Sequence, residues 1–288
     1  MMRQIGDEMQ AATGALRIQA GNPQVLDLCM IPGGYTASAL QHNRHAHVSG
    51  ITLPENEGGH KLFVNRDRRV KVTQLDITML SSELGAEEIP EDHPDKMKFL
   101  PGKRPYLDKR FDLVFCDGQV LRTHARSTYR ERKEALRLIC SQLILAMQRI
   151  QPGTTIIILL HMVDAWDTVN LLFQFNSFAS IQLFKPVKKH GIRSTFYLIA
   201  RNVNPDHPAA IAAVAQWKAN WKEATFIYNE DTTLVEEAKP RNMSERIHVL
   251  DEFGSRLIEL AEPIWAIQRD ALKSAPFMRR NENNLACG

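Results

Sequence analysis

From residue 25 to about 203, short apolar runs alternate with segments of helical periodicity. The runs Val25–Cys29, His47–Thr52, Arg69–Gln74, Phe111–Cys116, Thr154–His161, Ser180–Phe184 and Thr195–Ala200 predict strands. Helices are predicted near Thr36–Gln41, Tyr129–Ile150 and Asp167–Phe178. Strands that alternate with helices predict an α/β fold, a mostly parallel sheet covered on both faces. Residues 1–22 read as a helix or a partly ordered arm, and 81–108, rich in Pro, Glu, Asp and Lys, as a surface insertion. The pattern divides the chain into 1–22, a sheet domain over 23–204, and a helical extension over 205–288. The extension predicts one helix from Pro205 to Thr225 and another from Ser244, a helix-start residue, to Leu272. Trp217 and Trp221 share one face of the first, which favours packing on the sheet domain over a role in forming a homo-oligomer.

The most informative stretch is Val25–Thr36. A strand ends near Asp27, then come Pro32, Gly33, Gly34 and Tyr35, and then a helix. Strand, glycine turn and helix in this order open a nucleotide-binding α/β unit, though ordinary βα turns also favour Gly and Pro. Three further strand ends carry chemistry. Asp117 follows Phe111–Cys116, where open α/β sheets bind ligands, and its alternative is a cap or turn aspartate. Asp76, followed by Ile77, ends the third strand and suits either a base edge or a helix cap. Glu55 is displaced from the second strand's tip, which leaves the backbone of Thr52 and Leu53 to meet a ribose. Two cation clusters suit a phosphate-bearing substrate or a solvated surface: 122–137, with Arg122 and Arg126 nearest Asp117, and 185–193, with Lys185 and Arg193.

Composition limits the rest. Net charge is only +3, so any nucleic-acid binding must come from a local patch. Four cysteines without metal-ligand spacing predict reduced thiols, no metal site and a cytoplasmic or nuclear protein. No apolar run is long enough to span a membrane, so no membrane partner is expected.

The segments DLCMIPGGYTASAL, DLVFCDG, PGTTIIILLHMVDAWDT and KPVKKHGIRSTFYLIA resemble, in that order, the FtsJ/RrmJ-like methyltransferases. The resemblance covers about 20–203 and implies a Rossmann-like class I methyltransferase sheet, S-adenosyl-L-methionine as cofactor, and the ribose 2′-hydroxyl of RNA as acceptor. It implies that Asp27, Gly33 and Gly34 face the cofactor's methionine part, that Asp76 meets its adenine, and that Asp117 is the acid at the methyl-transfer site. The family's Lys–Asp–Lys–Glu set is mostly replaced: Leu159 stands at the second lysine, Thr195 at the glutamate, and Arg17 is the nearest cation for the first. His161 lies two residues beyond Leu159 on the same strand face and offers a general base beside Asp117. With the set altered, a small-molecule or protein acceptor and a non-catalytic cofactor-binding protein are the alternatives.

Overall fold

The computed structural model describes residues 1–59, 67–120, 127–227 and 243–276. Its strands are β1 (Gln24–Leu28), β2 (His47–Thr52), β3 (Val70–Gln74), β4 (Phe111–Cys116), β5 (Ile150–His161), β6 (Ser180–Phe184) and β7 (Thr195–Val203). They form one seven-stranded sheet in the order β3-β2-β1-β4-β5-β7-β6, parallel except for β7, which runs antiparallel to both its neighbours. The strand order reverses between β1 and β4, and such a switch point leaves a crevice at the strands' carboxyl ends.

The helices are α1 (Met2–Thr13), α2 (Gly34–His42), α3 (Glu134–Arg149), α4 (Trp166–Phe178), α5 (Pro208–Phe226) and α6 (Met243–Lys273). Side chains alternate across a strand, so each strand feeds two cores. On one face Ile5, Met9 and Leu16 of the N-terminal segment join Val25, Tyr35, Phe115, Ile157 and Tyr197. On the other, α3, α4 and α5 cover Leu26, Val114, Ile156 and Leu198. α1 is therefore a layer of the sheet's packing: Gly6 lets it approach α2 so closely that an added Cβ would lie 2.8 Å from Ser38 Oγ.

The segment 81–108 differs from its expected surface position. Leu84, His93 and Phe99 are buried within it, and Glu83 forms a buried ion pair with Arg149 of α3. Its charged composition hides a few apolar anchors, and these meet α5. Trp221 is fully buried, donates from Nε1 to the Thr78 carbonyl at 3.2 Å, and meets Phe99 and Phe226 edge-on. We expect Trp221→Ala to destabilise the protein by about 3–5 kcal/mol, the usual cost of a large buried aromatic, as a lower midpoint in urea unfolding. An unchanged midpoint would show that α5 adds little to the fold.

α6 buries Val249, Phe253, Leu260 and Ile264, and its Arg246 guanidinium lies 5.1 Å over the Trp166 ring. Among the described residues, no helix is long and apolar enough to cross a membrane.

Candidate active site

The glycine turn after β1 is built on backbone geometry. Gly33 has φ 90°, a conformation open mainly to glycine, and its N–H donates to the Met30 carbonyl at 2.6 Å. The Ile31–Pro32 peptide is cis. Gly34 answers to a different neighbour: an added Cβ would lie 2.5 Å from Met2 Cβ and 2.8 Å from Arg3 N, so α1 requires the missing side chain.

Asp27 sits at the carboxyl end of β1 and is 1% exposed. Its Oδ2 accepts the Thr36 hydroxyl at 2.5 Å, while Oδ1 has no partner among the described residues. Asp117 follows β4 and is likewise buried, with neither carboxylate oxygen partnered among the described residues. Burial raises Asp27 to about 7, against the pull of the Thr36 hydrogen bonds. Burial, and then the neighbouring Asp27, push Asp117 well above the carboxylate range. Unpaired buried carboxylates are costly, and native folds seldom keep them without a use.

Alternation puts Asp27, Asp117, Leu159, His161, Thr195 and Tyr197 on the face that α1 and α2 cover, since Val25, Phe115, Ile157 and Tyr197 belong to that core. Leu159 packs against it, and Thr195 is buried with its hydroxyl unpartnered among the described residues. His161 stands opposite Thr195 in the ladder, with Nε2 2.7 Å from Gln119 Oε1. In that orientation Nε2 carries the proton and Nδ1 keeps a lone pair; partial desolvation of the ring lowers the imidazole pKa and favours this neutral form.

The other expected residues are placed as follows. Tyr35 is buried, stacks on Phe115 at 5.4 Å between ring centroids and hydrogen-bonds through its hydroxyl to Tyr197, so it forms the core beneath the site. Asp76 caps a 3-10 turn, its Oδ1 accepting the Thr78 N–H and hydroxyl at 2.8 Å each, which leaves Oδ2 for a ligand. Ile77 follows it into the core. Thr52 ends β2, buried, with its carbonyl accepting the Leu75 N–H; Leu53, half-buried, follows it.

Several cations have other duties. Lys185 is 2% exposed, and its ammonium donates to the carbonyls of Arg193 at 2.5 Å and Thr195 at 2.9 Å. Burial pulls it down to about 8. It ties together the turn between β6 and β7 and does not face a substrate phosphate. Lys188, Lys189 and Arg193 on that turn are exposed. In the other cluster Arg130 pairs with Asp95 and Glu134, and buried Arg137 with Glu134 and Thr225. Arg122 and Arg126 lie outside the described residues. Arg17 is at the wrong end of the sheet: its neighbour Ile18 is bound to Asn43, at the foot of α2 and away from the strands' carboxyl ends.

Gln142 of α3 was not foreseen. Its side chain accepts the Gly118 N–H at 2.8 Å and donates to the Gly118 carbonyl at 3.2 Å, so it holds the peptide that follows Asp117. A fully buried amide in the apolar run Leu138–Met147 was the available signal, since buried polar groups must be paired.

The sequence model of the family described as FtsJ-like methyltransferase matches residues 7–203. No curated protein matches the chain. Among solved structures, a putative ribosomal RNA methyltransferase from Plasmodium falciparum is 19% identical, covering 70% of this chain and 96% of its own, with a TM-score of 0.45. Human methyltransferase-like protein 13, solved with SAH, is 13% identical over 80% of this chain and 97% of its own, at a TM-score of 0.41.

Proposed function

Because the chain belongs to the FtsJ-like methyltransferase family, with S-adenosylmethionine as its methyl donor, we propose that its acceptor is a ribose 2′-hydroxyl of RNA and that transfer is organised around Asp27 and Asp117. The observation that carries this reading is the set of buried oxygens unpartnered among the described residues at the carboxyl ends of β1 and β4. They fit the cofactor, which brings positive charge and an ammonium donor. Asp27 Oδ1 would take the ammonium, the backbone at Gly33 would lie along the methionine part, Thr52 and Leu53 would meet the ribose, and Asp76 Oδ2 the adenine amine. The bound cofactor supplies a sulfonium methyl already activated for transfer.

The protein's task is to hold the acceptor in line and ease loss of its proton. With no lysine at position 159, Asp117 orients the hydroxyl and His161 Nδ1 receives the proton. The exposed cations on the β6–β7 turn lie at the same end of the sheet and suit an RNA backbone. Positioned general bases contribute roughly 10²–10⁴-fold, so His161→Ala should slow transfer by about 100-fold or more and remove the acid limb of the pH profile. An unchanged rate would exclude His161 as the base. Buried free thiols at Cys116 and Cys140 support a cytoplasmic or nuclear setting.

The replacement of the lysine and glutamate positions by Leu159 and Thr195 favours a second reading, in which the acceptor is a protein or small molecule. Incubating the protein with radiolabelled S-adenosylmethionine and a fractionated cell extract separates the two. Label in RNA supports the first; label confined to protein or small molecules supports the second.

A further inference from the structure

At the opposite end of the sheet, where β1, β2 and β3 begin, lies a cleft of about 360 Å³. Arg68, Arg69, Lys71 and Lys109 line it together with His47, and among the described residues no acid does. Its walls differ in kind. Arg69 is fixed by Asp67, with Nε 3.0 Å from Oδ1 and Nη2 2.7 Å from Oδ2, and it donates to the Arg44 carbonyl at 3.0 Å. It is neutralised and serves as scaffold. Arg68, Lys71 and Lys109 have no carboxylate partner among the described residues; Lys109 instead donates to Ser49 Oγ at 3.2 Å.

Removing these three cations would orphan no acid among the described residues; Lys109, 5.3 Å over the Tyr106 ring, is the one with a further structural contact. Side-chain amides of Asn22 and Gln24 add neutral donors to the same wall. The volume falls within the range of ligand sites, roughly 300–1,000 Å³, and three unneutralised cations with no acid select an anion. The five-residue strand β1, at about 3.3 Å per residue, puts this cleft on the order of 17 Å from Asp27's end of the sheet. A ligand held here does not reach the methyl group unless it is a polymer.

We propose that this cleft is a phosphate-binding site, separate from the methyl-transfer site, that holds phosphodiesters of the RNA strand or the phosphate of a free nucleotide. The RNA source rests on the acceptor proposed above; the nucleotide source does not.

The test compares the full chain with Arg68→Gln/Lys71→Gln/Lys109→Gln. A control, Arg256→Gln/Arg269→Gln/Lys273→Gln on α6, removes the same charge elsewhere. One arm measures anisotropy of a labelled single-stranded RNA across a salt series, and the other measures calorimetric binding of adenosine monophosphate. The cleft variant should bind RNA about 10-fold or more weakly, with the slope of log affinity against log salt reduced by about 2, from about 0.7 per phosphate contact on a single strand. The control should bind as the wild type does, and cofactor affinity should be unchanged in both. If adenosine monophosphate binds and the cleft variant loses it while RNA does not bind at all, the phosphate site stands and the RNA acceptor falls. If the cleft variant binds both ligands as the wild type does, if the control loses as much as the cleft variant, or if the wild type binds neither, the inference is overturned.

Discussion

Asp117→Asn should abolish methyl transfer, by roughly 10²–10⁴-fold on the scale of lost acid–base and orienting groups, while raising the melting temperature of the ligand-free protein. The two effects share one cause. Asp117 is buried beside Asp27 with neither oxygen partnered among the described residues, so its carboxylate costs folding free energy. An amide of the same shape is neutral without taking up a proton on folding, so it escapes that cost and cannot repel an ionised Asp27. A structural acid would behave in the opposite sense, since its loss would leave a former partner unsatisfied. Initial rates under saturating cofactor and a thermal melt of the same preparation check both halves. A variant that is active, or inactive but less stable, would contradict the assignment.

Asp27→Asn should weaken S-adenosylmethionine binding by about 100-fold, because truncating one partner of a buried charged hydrogen bond costs about 2–5 kcal/mol. It should also change how stability depends on pH. Asp27 titrates near 7 in the folded chain, against about 3.9 when unfolded. Between those values the folded state holds a proton that the unfolded state has released. Its contribution is therefore complete below about pH 4, declines as pH rises to about 7, and then stays constant. In the variant this share of the decline disappears, while the Thr36 hydroxyl can still donate to the amide oxygen. Melting curves from acid to neutral pH should thus be flatter for Asp27→Asn than for the wild type. Parallel curves would show that Asp27 is ionised throughout.

The sheet was legible because its strands are continuous apolar runs bounded by polar turns: β2, β4 and β6 have the predicted limits, and β5 and β7 extend beyond them. The positions of Asp27 and Asp117 followed from the same pattern, since strand ends in such a sheet meet the crevice. What the pattern could not supply was the identity of partners. Lys185 and Arg193 look alike in sequence, yet one donates to three backbone carbonyls and the other is exposed. Arg137 is likewise spent on Glu134 and Thr225, which is 88 residues away in sequence. The resemblance implies that Gly34 faces the cofactor, yet α1 fills the space beside it, because a missing Cβ does not say what approaches it. In 81–108 the charges outnumbered the few apolar residues that anchor it, and Trp221, the residue that receives them, lies far along the chain.

Asp27 and Asp117, buried acids with three carboxylate oxygens unpartnered among the described residues, await a cationic cofactor. Calorimetric titration of the wild type with S-adenosylmethionine at about pH 6.5, repeated in buffers of different ionisation enthalpy, tests it most directly. Binding should ionise Asp27 and Asp117, so the observed heat should vary with the buffer in the sense of net proton release. No binding, or binding with the same heat in every buffer, would contradict it.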